Sequence, residues 1–334
     1  DIILDVDILS EIIEDYEESK PDTLMVLTEV EDPSAFGVVE LDGDNIINIV
    51  EKPKREEAPS NLINTGIYIF NKDIFDKIDK TEISPRGEYE ITDSLSLQIA
   101  DGKVVKGHKT TKEWMDIGKP WELIEINEEL LNHIEGEIKG TVEEGVTIHG
   151  EVFLDEGSLL RSGVYIQGPV YIGKNCDIGP NSYIRGNSYF GDNVHIGNAV
   201  EIKNSIIMEN TNVSHLSYVG DSILGSNCNI AAGTNIANLR FDNKTVKTTI
   251  KNKKTDTGRR KLGAIVGDSV KTGINSSLSP GVKIGVRATI GSGVLLYEDL
   301  ESDMRVLVKQ EHIFQNKKET GQISLEEVDE NKEE

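Results

Sequence analysis

The chain has 334 residues, a formal net charge of −24 and a pI near 4.7. The length suggests two or more domains, and the acidity argues against a nucleic-acid partner and against a basic helix lying on a membrane. Only Cys176 and Cys228 are present, with no signal-peptide pattern and no eighteen-residue apolar run, so no disulfide framework is expected and the reading is a cytoplasmic protein without a membrane span.

The first 125 residues alternate strand-like and helix-like segments. DIILDVDIL (1–9) is an apolar, strand-like run, and a domain that opens in mid-strand implies residues before Asp1. Residues 12–19 read as a helix, 23–29, 37–41, 45–50 and 63–70 as strands, and 74–78 as the start of a second helix. This is an α/β layout. From Trp121 to Ile134 the apolar residues Leu123, Ile126, Leu130 and Ile134 fall on one helical face. Residues 126–140 therefore read as a linker helix and boundary, with the division near Gly136–Gly140.

Past the boundary an aliphatic residue returns every sixth position. Val142, Ile148, Leu154, Leu160, Ile166, Ile172, Ile178, Ile184, Phe190, Ile196 and Ile202 keep this step without interruption. A hexapeptide repeat means a parallel β-helix, in which three hexapeptides make one triangular coil and the aliphatics stack inward. Gly173, Gly179 and Gly197 follow aliphatics and suit the corners. Val213 and Val219 continue the series, one five-residue step reaches Leu224, and Ile230 and Ile236 follow. Residues 239–263 break the pattern with a Lys- and Arg-rich stretch, which reads as a loop leaving the solenoid. It is a candidate anion site in an acidic protein, against the plainer reading of a solvated loop. The sixes return at Leu278, Ile284, Ile290 and Leu296. The tail, residues 315–334, is acidic and has the composition of a disordered segment.

Four motifs in the first domain carry a resemblance: FGVVELDGDNIINIVEKP (36–53), INTGIYIF (63–70), GEYEITD (87–93) and WMDIGKPWE (114–122). Together they resemble the second half of a sugar-1-phosphate nucleotidyltransferase domain, a Rossmann-like α/β fold. The resemblance implies that Asp1 and Asp116 hold Mg²⁺. It also implies that Glu51 and Asn64 bind sugar hydroxyls and that Gly37 allows close approach. Magnesium held by one or two carboxylates suits a reaction that gathers phosphate charges. Asp116 could otherwise be an ordinary turn acid before Gly118, and Lys52 either a phosphate contact or plain surface. The family's glycine-rich phosphate loop would precede Asp1, so residues 1–334 alone are expected to lack uridylyl transfer.

In the second domain SYIRG (182–186), AVEIKNS (199–205), SHLSYVGD (214–221), NIAAGT (229–234) and residues 238–244 occur in order. They resemble the acetyltransferase half of the bifunctional glucosamine-1-phosphate N-acetyltransferase / N-acetylglucosamine-1-phosphate uridyltransferase family, in its archaeal branch. That fold is a left-handed parallel β-helix, here residues 141–314 with the insertion 239–263. The resemblance implies that Arg185 and Lys203 bind the sugar phosphate. His215 would be the general base, Tyr218 and Asn229 would hold sugar or phosphate oxygens, and Asn238 would orient His215 or the amine. Lys244 would add phosphate affinity, while Ala232, Ser292 and Lys309 would line the path of acetyl-CoA. Leu239, Arg240 and Ile274 depart from the family pattern, which bears on substrate preference. The family also implies a homotrimer.

The residues themselves make chemical sense in these roles. Acetyl transfer needs a neutral amine, and an imidazole titrates near working pH. Arginine grips phosphate bidentately and lysine acts as a point charge. Arg185 and Lys203 are one coil apart, so they stack on one face and suit a shared anion. His215 could instead be a structural histidine between Val213 and Val219. The six histidines form no close pair, which argues against zinc. The expected function is acetyl-CoA-dependent N-acetylation of an amino-sugar 1-phosphate, glucosamine or galactosamine, joined to uridylyl transfer toward UDP-N-acetylglucosamine. The alternative is a nucleotidyltransferase whose β-helix only regulates or oligomerises.

Overall fold

The structure is a computed structural model and describes residues 2–314. The chain divides into two compact units between Leu123 and Ile124. Asp1 and the acidic tail lie outside the described residues. No helix among the described residues is long and apolar enough to cross a membrane.

The first unit is a mixed sheet with helices on both faces. β1 (Ile2–Leu4) is followed by α1 (Asp7–Ser19), so the apolar opening run is a short strand and then the first turn of a helix. β2 (Thr23–Glu29), β3 (Gly37–Asp42), β4 (Asn45–Glu51) and β5 (Leu62–Phe70) match the alternation read from sequence. α2 (Ile74–Ile78), α3 (Ile91–Ala100), β6 (Val105–Lys109) and β7 (Trp114–Asp116) complete the unit. β2 is the centre: it pairs antiparallel with β5 and parallel with β6, and the sheet closes in the order β2-β5-β3-β4-β6. Both faces of β2 are covered. Leu24 and Val26 meet Ile8 and Ile12 of α1, while Met25 and Leu27 share a cluster with Ile74 and Leu95. This explains why residues 23–27 are buried without alternation.

The second unit is a solenoid with three parallel faces of eight, eight and nine strands. Along one coil the first face is entered at Thr147–His149, the second at Val152–Leu154 and the third at Leu159–Leu160. Ile148 pairs with Ile166 and Ile166 with Ile184, eighteen positions apart each time. The inward aliphatics form one continuous core. Leu154, Ile166, Ile178, Phe190, Ile196 and Ile202 are all fully buried. Val142, in the first coil, is 39% exposed.

The register shift seen once in the sequence occurs twice. Ile202 pairs with Val219 and Val219 with Ile236, so two successive coils have seventeen residues. The residue is lost each time between the first and second faces, where Ile202 leads to Ile207 and Val219 to Leu224. The insertion leaves from that same corner. It is an ordered excursion, not a free loop: Lys247–Ile250 and Lys253–Asp256 form an antiparallel hairpin, and Val246, Thr248 and Leu262 are buried.

The corners also differ from expectation. Among Gly173, Gly179 and Gly197, only Gly179 has a positive φ, while Asn175, Asn181, Asn187, Asn193, Asn204 and Asn210 adopt the left-handed region. Asparagine tolerates that region because its short amide can hydrogen-bond locally. Gly197 serves another need. A Cβ there would overlap the carbonyl oxygen of Ser214 in the next coil.

α4 (Glu122–Asn132) contributes Ile124 onward to the second unit. Its buried residues include Ile124, Asn127 and Leu131, whereas Leu130, expected inward, is 55% exposed. Polar contacts set the rotation. Asn127 Nδ2 donates to the carbonyl of Asn187 at 2.8 Å, and Glu128 faces the solenoid corner. Residues 124–132 thus lie along the solenoid.

Gly197→Ala is expected to lower unfolding free energy by about 3 kcal/mol or more, because two coils must part to admit the methyl. Val142→Ala should change it by less than about 1 kcal/mol. Urea titration of both variants checks this, and equal losses would contradict the stacking described.

Candidate functional sites

In the first unit a cleft of about 380 Å³ collects the residues singled out there. Gly37 and Glu51 are opposite each other on β3 and β4, and Asn64 lies on β5 next to β3. Glu51 Oε2 accepts from Thr92 Oγ1 at 3.1 Å and Oε1 from Arg86 Nη1 at 3.3 Å. A Cβ on Gly37 would come within 2.9 Å of Glu51 Oε2, so the glycine keeps that carboxylate accessible. Asn64 donates to the Tyr68 hydroxyl, and its Oδ1 accepts from Gly66 N at 2.9 Å. Burial pushes the Tyr68 phenol up to about 12, so it stays neutral. Trp114 walls the cleft, donating to the Thr65 carbonyl at 3.1 Å and meeting Phe36 edge-on. Asp116 is exposed at the end of β7, opposite Ile2 of β1. Its expected metal partner, Asp1, lies outside the described residues. Lys52 lines the same cleft in a left-handed conformation, its Nζ 4.0 Å from Glu51.

In the second unit the singled-out residues gather on two edges of the first face. Arg185 follows a first-face strand, Lys203 ends the one on the next coil, and Asn238 lies past the one two coils further on, all where the second face begins. His215 ends a third-face strand on the opposite edge. Ala232, Ile274 and Ser292 follow His215 up that edge: the His215 carbonyl accepts from Gly233 N, that of Ala232 from Asn275 N and that of Ile274 from Gly293 N. Lys309 is exposed just past the last third-face strand, Arg305–Val306. Asn229 is exposed on the third face, paired with Asn212 and Lys271. Tyr218 stands on the first face between the two edges.

Arg185 and Lys203 are neighbours, but each has its own carboxylate and they do not share an unpaired field. Arg185 Nη1 donates to Glu201 Oε1 at 3.0 Å, and the guanidinium lies 5.6 Å from the Tyr183 ring. Lys203 Nζ donates to both oxygens of Asp221 at 3.0 Å. Asp221 is 2% exposed, was not singled out in the sequence, and is the centre of the corner. It also accepts from Asn204 Nδ2 at 2.9 Å and from Asn238 Nδ2 at 2.5 Å. Asn238 donates further to the Tyr218 hydroxyl at 3.0 Å, so its amide is committed here and makes no bond to His215. Burial, then the nearby Asp221 and Glu201 charges, raise the Tyr218 phenol, which keeps its proton as a donor. His215 is exposed.

The insertion is tied to this corner. Arg259 donates to Glu125 at 3.0 Å and Glu128 at 2.8 Å on α4, and Glu128 accepts from Asn204 at 2.8 Å. The basic segment therefore spends Arg259 on structure. Lys244 is exposed, and Arg240 forms a bidentate pair with Asp242. Leu239, Arg240, Phe241 and Asp242 roof a cleft of about 790 Å³ that includes Tyr218 and Asn235.

Lys203→Met is expected to lower stability by about 3 kcal/mol, because it leaves the buried Asp221 charge without its cation. Arg161→Met breaks a bidentate pair with the well-hydrated Asp177 and should matter far less. Denaturant midpoints of the two variants test the contrast, and similar shifts would contradict it.

Residues 1–133 match the family model for nucleotidyl transferase, residues 141–186 that for bacterial transferase hexapeptide (six repeats), and residues 166–273 that for the GMPPB C-terminal domain. The bifunctional protein GlmU of Methanocaldococcus jannaschii is 47% identical over 295 residues, covering 88% of this chain and 71% of that protein. The bifunctional protein GlmU of Methanococcus aeolicus is 44% identical over 319 residues, covering 95% and 75%. The bifunctional sugar-1-phosphate nucleotidylyltransferase/acetyltransferase of Sulfurisphaera tokodaii is 47% identical over 273 residues, covering 81% and 67%. A nucleotidyltransferase unit followed by a hexapeptide-repeat parallel β-solenoid, with this identity over most of its length, belongs to the family of bifunctional GlmU-type nucleotidyltransferase/acetyltransferases.

Proposed function

We propose that the solenoid transfers the acetyl group of acetyl-CoA to the amine of an amino-sugar 1-phosphate. Glucosamine-1-phosphate is the first candidate and galactosamine-1-phosphate the second. The observation that carries this reading is the division of labour across the first face. One edge holds Arg185, Lys203 and Asn238, and the other holds His215, Ala232 and Ser292. The width between them is a strand of three residues, Tyr218–Gly220, on the order of 10 Å. A sugar phosphate can lie across it with its phosphate at the cationic edge and its amine at the histidine.

In this reading the His215 imidazole accepts a proton as the amine attacks the thioester carbonyl. The nitrogen–carbon bond forms, the carbon–sulfur bond breaks, and the proton passes to the departing thiolate. Tyr218 donates to a sugar or phosphate oxygen with the hydrogen that Asn238 leaves free. Asn229 and Lys244 add outer polar contacts, and Lys309 meets the phosphates of the coenzyme. Direct attack is favoured over an acyl-cysteine. Both thiols are buried inside the coils, and burial pushes Cys176 and Cys228 up, away from the thiolate.

For the first unit the companion reading is a share in uridylyl transfer from UTP to N-acetylglucosamine-1-phosphate in the intact protein. Glu51 and Asn64 face the cleft as hydroxyl partners. Asp116 offers the hard oxygen donor that Mg²⁺ takes, and would hold it together with Asp1. Bound magnesium would offset charge on the reacting phosphates. A cytoplasmic homotrimer completes the proposal. The alternative, a solenoid that only oligomerises, has no use for a buried carboxylate that orders Lys203 and Asn238.

His215→Ala is expected to lower kcat for acetyl transfer by roughly 10²–10⁴ with little change in melting temperature. Thiol release from acetyl-CoA measures this. A folded variant that acetylates at a near-normal rate would remove His215 from the mechanism.

A further inference from the structure

Asp221 stands out from the stack to which it belongs. Asn187, Asn204 and Asp221 turn the same corner on successive coils, with φ of 62°, 47° and 48°. Asparagine satisfies that backbone on two of the three coils, so the turn itself does not call for a charge. A carboxylate that is 2% exposed is costly unless it is paired and hydrogen-bonded. Here every side-chain bond that offsets the cost comes from a residue on an adjacent coil: Lys203 and Asn204 from the coil before, Asn238 from the coil after. Two of these three face the first-face edge assigned to the sugar phosphate.

We propose that Asp221 is a positioning residue for acetyl transfer, a buried carboxylate that fixes the Lys203 ammonium and the Asn238 amide toward the sugar phosphate. The proposal rests on the acetyl-transfer reading of the solenoid. Both oxygens of Asp221 are engaged by Lys203, which aligns the ammonium and leaves its third hydrogen for a ligand. Asp221 Oδ2 also holds Asn238, whose Nδ2 in turn bonds the Tyr218 hydroxyl, so three candidate ligand groups are set by one acid. The acid is itself braced. Asn204 donates from the same Nδ2 to Asp221 and to Glu128, and Glu128 receives Arg259 from the base of the insertion. With two carboxylates as acceptors, the orientation of the Asn204 amide is fixed.

Coil stacking accounts for this closeness, and the two shortened coils set its spacing. With one residue dropped at Lys203–Ile206 and again at Gly220–Ile223, the stacked Asn204, Asp221 and Asn238 lie seventeen positions apart. Beside Gly220 there is no room for more. A Cβ there would collide with the Tyr218 hydroxyl and, at 2.7 Å, with Asn238 Nδ2.

Asp221→Asn tests the proposal, since asparagine already occupies this corner on neighbouring coils. Calorimetry with glucosamine-1-phosphate and, separately, with coenzyme A reads binding without turnover. The expected result is sugar-phosphate affinity reduced about tenfold or more, as for loss of a charge-assisted contact, with coenzyme A affinity within about twofold. In the Lys203→Met background the same substitution should add little, because its effect runs partly through Lys203. Asp221→Gly, which suits the positive φ, should repeat the selective loss if Asp221→Asn folds poorly. Unchanged sugar-phosphate affinity in a folded variant overturns the proposal. So does a parallel loss for both ligands that tracks a fall in melting temperature, which would mark Asp221 as merely structural. Wild-type chain that binds the sugar phosphate but releases no thiol from acetyl-CoA would refute the acetyl-transfer reading instead, with the calorimetric contrast still deciding the role of Asp221.

Discussion

The constraint on which the second unit depends is the parallel register of its coils. Each inward aliphatic must sit over the one a full coil earlier, because the strand hydrogen bonds run between coils. A side chain therefore has its neighbours at fixed offsets of seventeen or eighteen residues. That single rule buries Ile166, Ile184, Ile202, Val219 and Ile236 in one column. It equally lines up what projects outward and what turns the corners. Chemistry on such a scaffold is built by choosing residues one coil apart.

The corner between the first and second faces shows how a polar cluster is assembled on the stacked coils. Two coils are short by one residue there, and the next one sends out the hairpin. Stacking of these coils brings Lys203, Asn204, Asp221 and Asn238 within hydrogen-bond distance. Charge then has to be balanced locally, and it is: Asp221 against Lys203, Glu201 against Arg185, Glu128 against Arg259. The acidity of the whole chain hides this ordering. Its Lys- and Arg-rich insertion contributes one cation to the scaffold through Arg259, which is half-buried between two glutamates of α4.

Much of this was legible in the sequence, and the misses have physical causes. The period of six announced the solenoid because an inward position tolerates little but aliphatics. The strands of the first unit were readable where β-rich runs were bounded by turns, as at Thr23–Glu29. The strand-like opening run misled because a buried helix start such as Asp7–Ile12 is also apolar. The face of α4 was misjudged because Asn127 takes a buried place through a hydrogen bond that no hydropathy pattern reveals. Gly179 turns its corner with the positive φ expected of glycine, but Gly197 does not: it is required by an adjacent coil, which a local reading does not see. Asp221 lay inside SHLSYVGD in plain view. What marked it was an aspartate seventeen residues from one asparagine and seventeen from the next, a signal that appears only once the coil length is known.

The proposed role of the solenoid's first face is to handle a phosphorylated amino sugar. The most direct measurement compares thiol release from acetyl-CoA with glucosamine-1-phosphate and with unphosphorylated glucosamine as acceptors. Efficient turnover of the phosphosugar is expected, with a kcat/KM for free glucosamine lower by roughly 10² or more, the cost of losing the charge-assisted contacts of Arg185 and Lys203. Equal rates for the two acceptors, or no thiol release with either, would contradict it.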